Sequence, residues 1–306
     1  MNILIIGLGS IAKKHINVIL EINPEAIIYA FRSSENPKIV GNVINLYSLK
    51  ELSFSPDFII ISNPSYLHEN AIIESLRFKC PLFIEKPVLT DITNVEKVFK
   101  AVKSADVFTY VACNMRFHPA IQFLKKYLNK EKRINEVNIY CGSYLPDWRQ
   151  ESDFRTIYSA HADMGGGVHL DLIHELDYCI WLFGIPEKVT SLKRSVSSLQ
   201  LDSIDYANFN FIYSSFTANI TLNYFRRDPK REIEIILEED TLIIDLLKNN
   251  VYSKVSEEFL FNEPFNILET YLKQMRYFIN RIQMRETGMN DIYESIVTLK
   301  LALHET

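Results

Sequence analysis

The chain lacks a surplus of positive charge: across 306 residues, 33 Lys and Arg stand against 38 Asp and Glu, for a net charge of -5. A phosphate backbone therefore meets no basic field, which argues against nucleic acid as a partner and leaves room only for a local cationic pocket. Paired cysteine spacing is absent too. Cys80, Cys113, Cys141 and Cys179 are scattered among apolar residues, the pattern of reduced core thiols and not of disulfides or a zinc site. No cationic signal segment precedes the first strand, and no apolar run reaches the roughly 18 to 20 residues that span a bilayer. The expectation is a cytoplasmic protein without a membrane partner. Internal repeats and low-complexity tracts are missing as well. What is present is an apolar fraction of 47%, ample for the cores of one large or two ordinary domains.

The first third alternates strand and helix. Asn2 to Ile6 is a short β-branched strand, followed by Gly7-Leu8-Gly9-Ser10-Ile11-Ala12 and an amphipathic segment to about Ile22. In a dinucleotide-binding turn Gly7 permits the tight bend, Gly9 lets a pyrophosphate approach the backbone, and Ala12 lets helix and strand pack closely; Ser10 and Ile11 open the helix whose amino terminus faces the phosphates. A purely structural turn is the alternative. The second strand, Ala26 to Phe31, ends in Arg32-Ser33-Ser34, where NAD readers usually carry an acid. A guanidinium and two hydroxyls suit a 2′-phosphate, so NADP(H) is favoured over NAD(H); Arg32 as a plain surface residue is the competing reading. Asp57–Ser62, Pro81–Glu85 and Val107–Ala112 read as further strands, with helices over His68–Phe78 and Ile92–Val102. Asn63, Pro64, His68, Glu85, Lys86 and Asn114 then fall at strand ends along one crevice, the cofactor-binding edge of such sheets. Within it Glu85-Lys86-Pro87 follows a buried strand, and the proline restrains Lys86 to extended backbone. A strand-end lysine in solvent, and a packing role for His68, are the plainer readings.

From Arg116 the character changes, which suggests domains at 1–118 and 119–306. Pro119–Leu128 reads as a helix and Val137–Ser143 as a strand. Tyr144 to Ser159 forms a long loop rich in aromatics and arginine, with Trp148, Arg149 and Tyr158, a composition that favours binding over disorder. After Gly165-Gly166-Gly167 a helix is expected to carry Asp171, His174 and Asp177 three apart on one stripe. A carboxylate beside an imidazole suits proton transfer near neutral pH; metal ligation and a buried polar cluster remain alternatives. Strands follow at Lys188–Val196, Ile204–Tyr213, Phe216–Phe225, Glu232–Leu237, Thr241–Asp245 and Val251–Lys254, implying a large, mainly antiparallel sheet. Phe265–Met284 and Asp291–His304 read as amphipathic helices.

Taken together, Gly7 to His15 (GLGSIAKKH), Asn63 to His68 (NPSYLH), Glu85-Lys86-Pro87, Asn114 to Pro119 (NMRFHP) and Gly165 to Asp177 make the chain resemble the glucose-fructose oxidoreductase, inositol dehydrogenase and rhizopine-catabolism family, Gfo/Idh/MocA. The resemblance implies an α/β architecture: an N-terminal Rossmann domain and a C-terminal α/β domain with a large open sheet, through which members form homodimers or homotetramers. It makes Lys86 the catalytic lysine and His174 the proton donor or acceptor. The family aspartate usually stands four residues before the histidine, where this chain has Leu170; Asp171, three before, is the candidate in altered geometry. The stretch Ser143 to Arg149, with Tyr158 to Ala160, resembles a branch associated with bacterial surface-glycan biosynthesis, which implies a sugar or sugar-nucleotide substrate. Arg116, Tyr144, Trp148, Arg149, Tyr158 and His174 are then the substrate-binding candidates, and no metal is called for. The expected activity is an NAD(P)-dependent oxidoreductase of CH–OH groups. Alternatives are a cofactor-sensing protein without turnover and a reductase of a non-sugar carbonyl.

Overall fold

The computed structural model describes residues 1–32, 43–128, 132–149 and 152–304. It divides into two compact units, Met1–Asn114 with Leu268–Leu299, and Met115–Ile267 with the residues from Lys300 onward.

In the first unit β1 (Asn2–Ile6), α1 (Ser10–Ile22), β2 (Ile27–Phe31), β3 (Val43–Leu46), β4 (Phe58–Ile61), α2 (His68–Ser75), β5 (Leu82–Ile84), α3 (Val95–Ala105) and β6 (Thr109–Val111) follow in order. The strands form one parallel sheet in the order β3-β2-β1-β4-β5-β6. Its centre reads as unbroken apolar runs because helices cover both faces of such a sheet: Ile3 to Ile5, Phe58 to Ile61 and Leu82 to Ile84 are all fully buried. The strand order reverses between β1 and β4, so the turns after these two strands border the crevice where doubly wound sheets take ligands. Strand β3 is an addition to the sequence expectation. Helix α3 starts at Val95 and not at Ile92, because the Asp91 side chain accepts from the Thr93 amide at 2.7 Å and holds that segment in a turn.

The second unit opens with α4 (Pro119–Tyr127) and β7 (Ile134–Tyr144), then α5 (Val168–Asp171), α6 (His174–Phe183), β8 (Lys188–Arg194), β9 (Tyr206–Ile212), β10 (Thr217–Asn223), β11 (Phe225–Leu237), β12 (Thr241–Asp245), β13 (Asn250–Ser253) and β14 (Glu258–Asn262). Its eight-stranded sheet runs β14-β13-β12-β11-β7-β10-β9-β8. Within this sheet only β7 and β10 pair in parallel among the described strands. Alternation decides the faces: Val137, Ile139, Phe209, Phe211, Ile220, Ile233 and Ile235 are buried on one side. The other side carries a polar ladder in which Asn138 donates to Glu234 at 3.0 Å and Asn219 donates to Asn138 at 3.1 Å. The strand expected over Phe216–Phe225 stops at Asn223, and β11 starts two residues later, far upstream of the expected Glu232.

The closing helices α7 (Leu268–Met284) and α8 (Ile292–Leu303) complete the set. The chain thus returns at Leu268 to the first unit, where α7 packs on α1 and Phe278 is buried against Phe58 and Phe83. This differs from the single boundary expected at residue 118.

Candidate active site

In the first unit the turn after β1 has the geometry its glycines require. Gly7 sits at φ 88°, and a Cβ there would lie 2.6 Å from the backbone N and Cα of Asn63, so β1 and β4 turns pack in direct contact. Gly9 is the opposite case. A Cβ at Gly9 meets nothing within 4 Å, and Gly9 heads the 13-residue α1 with no side-chain cap on its amides. Exposed helix-end amides beside open space are an anion cradle, and Ala12, fully buried, gives the close helix–sheet packing beneath it. Asn63 adds a buried side-chain oxygen, Oδ1, that has no hydrogen-bond partner among the described residues. These residues fit a dinucleotide. Ser10 and Ile11 form the first helical positions of the cradle. Arg32 reaches Asn45 Oδ1 on β3 with Nη1 at 3.4 Å; Ser33 and Ser34 lie outside the described residues.

The neighbouring turns are tied together by buried imidazoles. His68 lies with Nδ1 2.9 Å from the Pro87 carbonyl and Nε2 3.0 Å from the Asn63 carbonyl, which bridges Asn63-Pro64 and the Lys86-Pro87 turn. Burial pulls its pKa down against the opposing pull of those carbonyls and of Glu85, so His68 is a neutral clamp. Glu85 is held by His15 of α1, with Oε1 2.6 Å from Nε2. Lys86, half-buried and joined to Pro87 by a cis peptide, follows directly. Asn114, also buried, donates to Thr270 Oγ1 at 2.7 Å.

In the second unit the expected stripe of Asp171, His174 and Asp177 on one helix is not formed. Helix α5 ends at Asp171, Leu172 leaves helical geometry at ψ 31°, and α6 begins at His174. The two acids are drawn in different directions. Asp171 accepts from Tyr158 at 2.8 Å and from Tyr224 at 2.5 Å. Asp177 forms a buried fork with Arg116, from Nε at 2.9 Å and Nη2 at 2.7 Å, and both side chains are nearly inaccessible. A third tie joins Arg231 of β11 to Glu175 at 2.6 Å. The first turn of α6, from which the half-buried His174 projects, is thereby fixed by two buried ion pairs. Burial, reinforced by Asp171, raises the pKa of both Tyr158 and Tyr224, so each phenol stays protonated and donates. His169 is pushed down to about 4 by burial first and Lys193 second.

The long loop after β7 delivers its aromatics to this cluster. Short 3-10 turns run over Leu145–Trp148, Phe154–Thr156 and Tyr158–Ala160. Trp148 is 37% exposed; its Nε1 donates to Ser143 at 2.8 Å and its ring stands edge-on to Tyr224 at 5.4 Å. Arg149 lies over the Tyr158 ring at 5.9 Å. Tyr144 carries the Arg227 guanidinium over its ring at 4.2 Å. Tyr158, Trp148, Asp171 and Arg149, expected from sequence, are thus brought together, whereas Arg116 is engaged by Asp177. Tyr224, Arg227, Glu175, Arg231 and His15 were not among the expected residues. Only one signal pointed to any of them: Arg226-Arg227-Asp228-Pro229-Lys230-Arg231 interrupts an apolar strand pattern with charges and a proline, the mark of a bulge.

Residues 1–113 match the Gfo/Idh/MocA oxidoreductase family, NAD-binding Rossmann fold. The 2,7-anhydro-N-acetylneuraminate hydratase of Escherichia coli is 31% identical over 168 residues, 54% of this chain and 44% of that protein; the match spans less than half of that relative. Among solved structures, UDP-N-acetylglucosamine 3-dehydrogenase GnnA from Acidithiobacillus ferrooxidans superposes with a TM-score of 0.81 at 19% identity, covering 100% of this chain and 96% of that one. The WlbA dehydrogenase from Bordetella pertussis, in complex with NADH and UDP-GlcNAcA, gives a TM-score of 0.79 at 20% identity over 98% and 93%. At these identities the solved structures establish that both domains share the fold.

Proposed function

We propose, from the match of residues 1–113 to the Gfo/Idh/MocA oxidoreductase family with its NAD-binding Rossmann fold, that the chain is an NAD(P)-dependent oxidoreductase acting on a CH–OH carbon of a sugar or sugar nucleotide. The observation that carries this reading is the cradle at Gly7 and Gly9, with open space over the α1 amides. A bound nicotinamide supplies the hydride acceptor or donor. The chain's own residues do the rest. His174 takes the hydroxyl proton in oxidation and returns it in reduction, and Lys86 offers its ammonium to the oxygen that gains negative charge. Asp171 is a positioning residue, locked by Tyr158 and Tyr224. Trp148 offers an apolar ring face to the substrate. Arg32 and the adjoining hydroxyls favour NADP(H) over NAD(H). The reading places the enzyme in the cytoplasm, as a homodimer or homotetramer paired through the polar face of the second sheet; among the described residues no helix is long and apolar enough to cross a membrane.

The test is stopped-flow absorbance of the reduced cofactor with candidate sugars and sugar nucleotides, comparing the native chain with Lys86→Ala and His174→Ala. Reduced-cofactor formation is read directly, since a relative is named a hydratase and product analysis alone misses a transient redox step. Loss of about a hundredfold or more in each variant is expected. Turnover unchanged from the native chain in both variants removes these roles, and cofactor binding without exchange against any carbonyl or alcohol favours a sensor.

A further inference from the structure

Strand β11 does not join β7 evenly. Phe225 pairs with Tyr144 and Lys230 with Gly142, so the single residue Ser143 of β7 is matched by four of β11, and Arg226 to Pro229 bulge out of the ladder. The bulge is basic in a chain of net charge -5, but most of its charge is used locally. Arg226 is closed onto Asp228 at 2.5 Å, Lys230 pairs with Glu232 at 2.7 Å, and Arg231 turns inward to Glu175. Arg227 is different. It is exposed, and among the described residues no carboxylate pairs with it; its guanidinium instead lies over the Tyr144 ring and donates to the Tyr144 hydroxyl at 3.0 Å. Arg149 is arranged in the same way, exposed, over the ring of Tyr158, and without a carboxylate among the described residues.

These two guanidiniums belong to opposite ends of one short turn. Tyr144 precedes the Leu145–Trp148 turn and Arg149 follows it. The turn is anchored from below, because the Leu145 amide donates to the Tyr224 carbonyl at 2.8 Å and Tyr224 grips Asp171. A guanidinium held over a phenol ring keeps further N–H donors for an oxyanion, which a guanidinium can bind in a bidentate way. Trp148, at the end of that turn and partly exposed, offers a ring face. A neutral polyol has no use for two arginines without a carboxylate partner among the described residues; a phosphorylated one does.

We propose that Arg149 and Arg227 form an anion subsite that reads the phosphoryl or pyrophosphoryl group of the substrate, with Trp148 against its sugar ring. This selects a phosphate-bearing sugar, of the nucleoside-diphosphate kind, over a free sugar, and it rests on the oxidoreductase reading given above. Arg227 and Tyr144 are then specificity residues.

The test uses the full chain saturated with reduced cofactor, so that the dinucleotide cradle is filled. Uridine diphosphate, inorganic pyrophosphate and uridine are titrated calorimetrically into the native protein and into Arg227→Ala, Arg149→Ala and Arg227→Lys, with melting temperatures and sedimentation measured alongside. The expected result is diphosphate and pyrophosphate binding that weakens with salt, uridine binding at least about tenfold weaker, and a loss of about tenfold or more in each alanine variant, only partly restored by lysine. Native-like melting shows that the variants fold. Equal affinity for uridine and its diphosphate, or diphosphate affinity unchanged in both alanine variants, overturns the subsite. A native dimer that dissociates in Arg227→Ala with diphosphate binding unchanged assigns the bulge to contact between copies and also overturns it. The two readings fail separately: neutral sugars turned over with Lys86 dependence, without diphosphate binding, sink the subsite alone, whereas diphosphate binding without any cofactor turnover sinks the enzyme reading.

Discussion

Replacing Tyr224 by Phe removes one oxygen and nothing else from the centre of the second unit. Tyr224 is fully buried, its hydroxyl lies 2.5 Å from Asp171 Oδ2, and its ring supports Trp148 edge-on, a contact that Phe retains. A hydrogen bond to a charged group contributes about 1.5–3 kcal/mol, and the buried carboxylate left behind loses a donor that water does not replace. Tyr224→Phe is therefore expected to lower the free energy of urea unfolding by about 2 kcal/mol. Asp171→Asn perturbs the same bond from the other side, so the double variant tests ownership of the effect. A coupling of about 1 kcal/mol or more between the two substitutions is expected. Additivity within about 0.5 kcal/mol would mean that Tyr224 stabilises by filling space and that Asp171 owes its position to other groups. Turnover adds an independent reading: a positioning role for Asp171 predicts a lower kcat in Tyr224→Phe with cofactor affinity unchanged.

The two glycines of the cradle should part company. Gly7→Ala forces a Cβ to within 2.6 Å of the Asn63 backbone at a positive φ and is expected to cost about 2 kcal/mol or more in unfolding free energy, whereas Gly9→Ala has room and should melt normally while binding cofactor about tenfold or more weakly by fluorescence titration. Acid should destabilise the chain through His169, whose native pKa of about 4 lies below the unfolded value near 6.5; the unfolded state binds the proton first, so a contribution of about 3 kcal/mol that is complete above pH 6.5 is lost as pH falls towards 4. His169→Gln should flatten the urea midpoint across that window, and an unchanged profile refutes the assignment. Above pH 10 the sign reverses for Tyr158 and Tyr224, whose raised native pKa values mean that stability present below the unfolded value is lost as the unfolded phenols ionise. Asp177→Asn removes the carboxylate that forks onto the buried Arg116 guanidinium and should cost about 3–5 kcal/mol in urea unfolding, while replacing both residues with apolar ones should recover much of the loss.

How far these features were readable depends on the range of the interaction that creates them. The parallel sheet was legible because strands buried on both faces must be apolar throughout, and Leu4-Ile5-Ile6, Phe58 to Ile61 and Leu82 to Ile84 show no polar interruption. Strand β3 was not, since Val43–Leu46 lies at the sheet edge, where Val43 and Ile44 stay partly accessible and the run is too short to stand out. The return of α7 to the first unit was illegible for a different reason. Its amphipathic stripe demands a partner, but nothing in a stripe says which one; that Phe278 meets Phe58 and Phe83 is a fact about residues some two hundred positions away.

The site divides along the same line. Gly7 and Gly9 announced themselves because backbone demands are local: a positive φ or an exposed amide row is written into the turn that carries it. Asp171 with His174 was misread as a single stripe because helical spacing assumes that the helix continues, and here long-range donors override it. Two tyrosines, one 13 residues upstream and one 53 downstream, hold Asp171, and the helix restarts at His174 on its own ion pairs. A carboxylate three residues from an imidazole is thus a statement about chain distance, and the partners that set its chemistry come from the junction of β10 and β11 and from the loop after β7. Tyr224, which holds Asp171, leads at once into β11 and the bulge that sets Arg227 over Tyr144, so the group that positions the acid and the group proposed to read the substrate's charge are joined by three peptide bonds. A shift of β11 against β7 by a single register step would disturb both together, which is why substitutions at the bulge should be judged on affinity and on kcat in the same protein.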